Sequence, residues 1–299
     1  MLNGKLKNYL HLHLLIFIAG FTAILGELIS IEAIPLVWFR MLIAGVLMFI
    51  YIKVRKINVR INLGTCIKFS LAGIIIALHW ITFFEAINQS NISITLAMFS
   101  TGAFFASLIE PLFFKRKIIW YEIVFGVLVI LGVWLIVQTE IKYINGIILG
   151  ILSALFSTLF AVINGKFVKR YQATVISFYE FISGVFFISL FIAVFGEGFH
   201  AEFFNLSGSD WKYLIILGSV CTAYAFIAAV HIMKHISPYT VVLSYNLEPI
   251  YGIILAIILF PQKEKMGAMF YFGAVIIIST VILNGILKNS KGIKRGLSK

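Results

Sequence analysis

The chain consists of long apolar runs separated by short polar breaks, and most runs approach the ~20 residues that a helix needs to cross ~30 Å of hydrocarbon. The runs are continuous and show no strict alternation, which excludes a transmembrane β-barrel. The pattern therefore predicts an all-α membrane protein. We predict ten transmembrane helices, at about 10–29, 34–52, 67–87, 92–114, 118–138, 145–166, 173–195, 211–232, 239–260 and 266–287.

The polar breaks alternate in charge along the chain. Basic residues collect at 53–60, 115–117, 166–170 and Lys234, whereas the intervening breaks are neutral, acidic or weakly basic. Lysine and arginine in short loops mark the cytoplasmic side, so both termini are expected in the cytoplasm. The break at 261–265 fits least well, because its two lysines fall on the predicted outer side. We expect a multi-pass protein of the cell membrane, most simply a bacterial inner membrane.

Composition agrees with a membrane protein and argues against nucleic-acid binding and against a metal site or disulfide framework. Of 299 residues, 61% are hydrophobic and 12% charged, far from the balance of soluble proteins. The net charge of +12 is divided among the breaks and does not line one face, so it indicates membrane topology and not nucleic-acid binding. Cys66 and Cys221 lack the spacing of a metal site or a disulfide framework. No metal or cofactor is predicted.

The two halves of the chain resemble each other. FFKRKIIWYEIVFGVLVILG from Phe113 aligns with LFPQKEKMGAMFYFGAVIIIS from Leu259, and SNISITLAMFSTGAFF aligns with ISPYTVVLSYNLEPIY at nearly the same offset. A unit of five spans crosses the membrane an odd number of times, so its second copy is inverted. We therefore predict two inverted five-helix repeats, at 1–140 and 141–299, an organisation typical of secondary transporters.

Two segments carry a resemblance to a known family. IPLVWFRMLIAG at 34–45 is similar to a Pro-to-Arg stretch in the second helix of EamA-type transporters, which belong to the drug/metabolite transporter superfamily. HISPYTVVLSYNLEPIYGIILAIILF at 235–260 resembles their Ser-Pro loop and the Glu-Pro helix that follows. The resemblance spans nearly the whole chain. It implies a ten-helix carrier of small molecules, commonly an exporter of amino acids or related metabolites.

His79 and Trp80 interrupt the third apolar run near its middle. His79 lies eleven residues after Lys68, which places it roughly 16 Å along the helix and near the bilayer midplane. Transporter sites are typically found at that depth, where the pair would offer a hydrogen bond and an aromatic wall to a substrate. A histidine bonded to a neighbouring carbonyl group, with Trp80 in lipid or core, is an equally good interpretation.

Glu248 is the most informative carboxylate of the sequence. It falls about midway along the predicted ninth helix and is followed by Pro249, which lacks an amide donor and leaves a backbone carbonyl free one turn earlier. A carboxyl group at this depth can hold a proton and release it when its access to water changes, as proton coupling requires. A structural, hydrogen-bonded glutamate at a kink is the alternative.

Arg40 and Glu180 are predicted to lie inside the membrane in the second and seventh helices. Bare charges are costly at that depth, so each needs a partner. The two can neutralise each other across the repeat interface or find separate partners, and the sequence leaves both arrangements open. A structural role is favoured, although Arg40 would suit a substrate carboxylate through paired hydrogen bonds.

Further polar and aromatic residues are predicted at mid-depth on the helices that line the cavity in this family. Each is individually more typical of helix packing, but their clustering favours a joint role in binding substrate. These candidates are Ser100, Thr101, Tyr179, Tyr224, Tyr245 and Asn246.

Other classes of function have less support. The chain lacks the HExxH, GxSxG and CxxC motifs and a phosphate-binding loop, so nothing indicates an enzyme. A membrane-embedded sensor or assembly partner would need no alternating access and stays an alternative. An exchanger of organic phosphates or nucleotide sugars would need several cations at depth, where Arg40 is the clear candidate. The expected partners are a small-molecule substrate, the lipid bilayer and, with coupling, protons; the sequence does not define an oligomeric state.

Overall fold

The computed structural model describes residues 4–115, 117, 119–232, 235, 236, 244, 245 and 247–296. The described part of the chain is helical and contains no strand. In the first half the helices are α1 (Gly4–Leu28), α2 (Ala33–Val54), α3 (Leu63–Gln89), α4 (Ile92–Phe99), α5 (Gly102–Phe114) and α6 (Trp120–Thr139). In the second half they are α7 (Ile144–Phe167), α8 (Ala173–Phe195), α9 (Ala201–Phe204), α10 (Gly208–Gly218), α11 (Ala225–Ile232), α12 (Glu248–Leu259) and α13 (Ala268–Gly296).

Eight helical segments of the described chain are long and apolar enough to span a membrane, and two shorter apolar helices follow them at Glu248–Leu259 and Ala268–Asn284. These ten segments lie at the ten positions expected from the apolar runs, so the prediction of an all-α membrane protein is confirmed. Two spans are not uniform helices. The fourth is interrupted between α4 and α5 at Ser100 and Thr101, and the eighth contains a π-helical turn, Ser219–Tyr224, between α10 and α11.

The ninth span differs from its prediction. A helix was expected over 239–260 with Glu248 about midway, but α12 begins at Glu248 itself. Pro249 therefore occupies the first turn of α12, where a missing amide donor removes no hydrogen bond of the helix interior. Residues 239–243 and Asn246, which the predicted helix includes, lie outside the described residues.

The packing follows the same plan in both halves. α1 packs on α12 and α7 packs on α4 and α5, while α3 packs on α8 and α10 packs on α2. The fifth span of each half, α6 and α13, pack on each other. There the backbones approach so closely that a Cβ on Gly132 would lie 2.9 Å from the carbonyl oxygen of Gly273. The core is formed where the first four spans of one half meet those of the other.

The weakly basic breaks meet at one end of the bundle. Glu264 is buried and accepts hydrogen bonds from the backbone N–H groups of Ile92 (3.0 Å) and Ser93 (2.9 Å) at the start of α4. Lys263 forms an ion pair with Glu27 at the end of α1. A carboxylate at a helix N-terminus satisfies unpaired donors and interacts favourably with the helix dipole. The 261–265 break therefore joins α1, α4 and α12 at this end, which we call the latch end.

The basic breaks meet at the opposite end, which we call the basic end. The hydroxyl of Tyr179 donates to the carbonyl oxygen of Val59 (3.0 Å), and the hydroxyls of Thr65 and Tyr171 are hydrogen-bonded (2.9 Å). The ammonium group of Lys166 lies over the ring of Phe113 at 4.8 Å. These contacts join the segments near 59–65, 113 and 166–179. The two kinds of break thus occupy opposite ends of the bundle.

Candidate functional site

A cavity of about 330 Å³ lies between the two halves of the bundle. Its walls come from α1, α2, α3 and α4 of the first half and from α7, α8, the π-helical turn, α11 and α12 of the second. The fifth spans, α6 and α13, take no part in it. The cavity is mostly apolar but carries a few convergent polar groups, the composition expected of a small-molecule site. Those groups belong to Thr22, Arg40, His79, Ser157, Asn164, Ser177, Glu180, Cys221, Tyr245 and Glu248.

Arg40 is the cation of this cavity and is only 3% exposed. Its Nε donates to the hydroxyl of Thr222 at 2.9 Å, and its guanidinium carbon lies 4.0 Å from the ring centroid of Trp80. Neither contact is a hydrogen bond of Nη1. Nη1 is buried and has no hydrogen-bond partner among the described residues. Since a buried, unpaired donor on a charged group is costly, this atom indicates a site for an acceptor that enters the cavity.

The π-helical turn explains how Thr222 reaches Arg40. The hydroxyl of Thr222 donates to the carbonyl oxygen of Leu217 at 2.8 Å, five residues earlier, and accepts from Arg40. A π turn inserts one extra residue into a helix and frequently marks a functional site. Sequence reasoning missed both the turn and Thr222. A lone threonine in an apolar run gave no signal for them.

Glu180 lies in α8, seven residues after Ala173, just as Arg40 lies in α2 seven residues after Ala33. The two helices pack against each other, but the side chains have separate partners. Oε1 of Glu180 accepts from the side-chain amide of Asn164 at 2.8 Å, and no ion pair between Glu180 and Arg40 occurs in the described structure. The sequence left open whether Arg40 and Glu180 pair with each other or with other residues. The structure shows that each has its own partner.

His79 and Trp80 both line the cavity. Nδ1 of His79 lies 2.9 Å from the hydroxyl oxygen and 3.1 Å from the carbonyl oxygen of Ser153, so this nitrogen is anchored to α7. The imidazole stacks on Phe99 at 5.4 Å between ring centroids, and Phe83 meets Phe99 edge-on at 5.7 Å. These rings form the wall of the cavity on the side of the latch end. The backbone contact expected of a structural histidine and a place in the cavity wall are thus found together.

Glu248 and Tyr245 contribute to the cavity from the start of α12 and the residues before it. Glu248 lies close enough to Arg40 for their charges to interact, although no ion pair within 4 Å forms between them among the described residues. Gly20 of α1 packs directly on this turn, since a Cβ at Gly20 would lie 3.1 Å from the carbonyl oxygen of Glu248. Asn246, the neighbouring candidate, lies outside the described residues.

The other candidates do not line the cavity. Ser100 and Thr101 turn back to their own helix, where their hydroxyls donate to the carbonyl oxygens of Leu96 (2.9 Å) and Met98 (2.6 Å). Tyr179 bonds to Val59 at the basic end. Tyr224 is 42% exposed, and its hydroxyl lies 2.8 Å from Nε2 of His11. Their depth was estimated from the sequence, but their direction around the helix was not.

The cavity extends farther toward the basic end of the bundle than toward the latch end. Toward the basic end its walls include Asn164, Val168 and Ala173, which lie around the loop between α7 and α8. Toward the latch end it stops at the rings of Phe83 and Phe99. The cavity therefore reaches from the middle of the bundle to the basic end.

Comparisons with known proteins agree with the fold and the repeat. The model of the EamA-like transporter family matches the chain twice, over residues 7–138 and 144–286. A solved structure titled "Crystal structure of protein" superposes with a TM-score of 0.64 at 13% identity, covering 95% of this chain and 99% of the other. At that identity the likeness concerns the fold alone. No curated protein matches the sequence.

Proposed function

Because the chain belongs to the EamA-like transporter family, we propose that it exports a small zwitterionic metabolite, such as an amino acid, by alternating access. The observation that carries the proposal is the unpartnered Nη1 of Arg40 in the central cavity. A carboxylate that enters the cavity would accept from this donor in the charge-assisted geometry that arginine prefers. The aromatic face of Trp80 keeps the guanidinium plane in place for it.

Glu180 supports a second point of attachment for the same substrate. Its carboxylate lines the cavity and receives one described hydrogen bond, from Asn164, so it retains acceptor capacity. A substrate amino group could donate to it while the substrate carboxylate is held by Arg40. A cation and an anion on opposite halves of the bundle suit a molecule that carries both charges. Amino acids and closely related amphiphilic metabolites have this chemistry.

An organic phosphate or nucleotide sugar fits this cavity less well. A phosphate with two charges needs several cations when it leaves water. Among the described residues that line the cavity, Arg40 is the single lysine or arginine. The single cation and the apolar walls favour a smaller substrate with one carboxylate group.

The two ends of the bundle support alternating access. At the latch end, Glu264 caps α4 and Lys263 is paired with Glu27, while the cavity reaches the basic end. With the basic end in the cytoplasm, this is the state that would load substrate from inside the cell. Breaking the latch contacts while closing the basic end would release substrate outside, a rearrangement that inverted repeats permit.

A counterflow assay with the protein reconstituted into liposomes tests the proposal. Vesicles loaded with an unlabelled amino acid should accumulate the labelled one by counterflow, and a panel of amino acids should identify the substrate. The amine that lacks the carboxylate of the best substrate is the matched compound, and it should not exchange because it cannot pair with Arg40. Equal counterflow of amine and amino acid, or none with any carboxylate-bearing compound, would contradict the proposal.

The proposal also includes coupling of transport to protons, and it assigns this role to Glu248. A substrate amino group could also pair with the ionised carboxylate of Glu248, which lies close to Arg40, whereas a proton bound at Glu248 would remove this attraction. Substrate and proton would thus occupy the cavity in turn, so that protons moving into the cell would drive the substrate out.

Replacing Glu248 with Gln should separate coupling from binding. We expect E248Q to lose transport driven by a pH gradient while it retains most of the counterflow, because counterflow needs no net proton movement. E85Q is the control, since Glu85 is hydrogen-bonded to Asn88 and Gln89 away from the cavity. The measurement is labelled uptake with and without an imposed gradient. Undiminished gradient-driven uptake by E248Q would exclude this role.

A further inference from the structure

A second hollow lies on the outer surface of the bundle, in the seam between α2 and α8. Its volume is about 360 Å³, and all of its walls are apolar. Gly45 forms part of the floor, and Val46, Phe49 and Ile182, which are each about half exposed, form the rims. It does not share a lining residue with the central cavity. We call this feature the α2–α8 groove.

Hydrocarbon is the material that fits this groove. The two helices lie within predicted spans, so the exposed rims face the interior of the bilayer, where water is scarce. An unfilled groove would lose the dispersion contacts of its walls. Its volume lies within the range of small-molecule sites, and its width arises because Gly45 contributes no side chain. A flexible acyl chain can fill such a space.

Charge at one end of the groove points to the headgroup. Lys53 follows Phe49 by one turn of α2, and its ammonium group lies 5.3 Å from the centroid of that ring. Arg55, Lys56 and Arg60 follow within the same basic break, which carries no acidic residue. The stacked rings of Phe49 and Phe178, 6.1 Å apart, lie directly beneath Lys53. An apolar groove that ends at a cation matches a lipid with an anionic headgroup.

We propose that the α2–α8 groove binds an anionic phospholipid, with one acyl chain between the helices and the phosphate group at Lys53. A second copy of the chain is a poorer occupant. A two-fold dimer through this face would place two basic breaks at the same depth and opposite each other, which costs electrostatic energy. An anionic lipid would instead neutralise the positive charge of the basic break. The site lies in the leaflet at the basic end, whichever substrate the central cavity takes.

Thermal unfolding of the purified full chain in an uncharged detergent tests the site. Dioleoyl phosphatidylglycerol should raise the Tm by several degrees and saturably, because it binds the folded state alone, whereas dioleoyl phosphatidylcholine should raise it less. K53Q should reduce the effect of phosphatidylglycerol to that of phosphatidylcholine. K166Q is the matched control, since Lys166 also lies over a phenylalanine ring at the basic end, and it should keep the difference.

Filling the groove tests the acyl chain. A side chain can be added at Gly45 without a backbone clash, because its Cβ would meet only Phe181 Cβ, at 3.8 Å. We expect G45L to lose the stabilisation by either lipid and V127L, on the exposed face of α6, to keep it. Phosphatidylglycerol with a photoreactive chain should label α2 and α8 of the wild-type protein, which keeps the test valid if G45L does not fold.

Three results would overturn the proposal. One is equal stabilisation by the two lipids, and another is equal loss of the effect in K53Q and K166Q. The third is a wild-type dimer that G45L converts to a monomer with no photolabel on α2 or α8, since that would make a second copy the occupant.

Discussion

Replacing Arg40 with Gln should lower transport ~30-fold or more. The variant loses the charge-assisted contact that holds the substrate carboxylate, and a buried pair of this kind is worth about 2 kcal/mol or more when one partner is removed. The side chain is nearly fully buried and lines a mostly apolar cavity, where the lost charge is costly to the bound carboxylate. Counterflow of the amino acid identified in the panel, normalised to the amount of protein in the membrane, is the measurement.

Two variants make the Arg40 result specific. R40K keeps the positive charge but loses the planar fork and the Nε contact to Thr222, so it should recover only part of the activity. R170Q changes the same residue type at an exposed position of the basic end and should transport normally. If R40Q exchanges substrate within twofold of the wild type, Arg40 is not the carboxylate site.

Gly73→Ala should lower the thermal stability by several degrees. A Cβ at Gly73 of α3 would lie 2.3 Å from the carbonyl oxygen and 2.9 Å from the Cα of Glu180 in α8, so the helices must separate by about 1 Å. Overpacking of this kind costs about 1–3 kcal/mol. Because the clash is with the backbone of Glu180, the cavity wall moves as well, and transport should fall with stability.

Gly45→Ala is the matched control for the close approach at Gly73. Gly45 of α2 faces the same helix α8, but its Cβ would meet only Phe181 Cβ, at the ordinary contact distance of 3.8 Å. Unfolding midpoints in detergent without added lipid should therefore fall for G73A and change little for G45A. Equal midpoints for both variants would show that α3 and α8 are farther apart than described.

The positions of the spans could be predicted because they depend on length and hydrophobicity alone. Ten apolar runs gave ten helical segments, and the polar breaks between them lie at two opposite ends of the bundle. The internal irregularities could not be predicted. The π turn at Ser219–Tyr224 receives a hydrogen bond from Arg40 of α2, and Gly102, just after the break at Ser100 and Thr101, accepts one from Thr158 of α7. Such contacts between helices leave no mark in the sequence.

The sequence indicated which ionisable residues line the cavity, but it did not show toward which side of a helix the other candidates point. Arg40, His79, Glu180 and Glu248 meet at one cavity because ionisable groups in lipid must turn inward. Tyr224 does not line this cavity. A tyrosine tolerates either face, and a helix surrounded by lipid is apolar on all sides, so the sequence carries no stripe that distinguishes the faces.

Side-specific labelling of a single cysteine at Ser177 tests alternating access most directly. Ser177 lies on the cavity wall in α8, and the background would lack Cys66 and Cys221. A membrane-impermeant thiol reagent should reach the cysteine from the basic end in the resting protein, and from the latch end only when substrate is supplied for turnover. Labelling from the basic end that is unchanged by substrate, with none from the latch end, would contradict alternating access through this cavity.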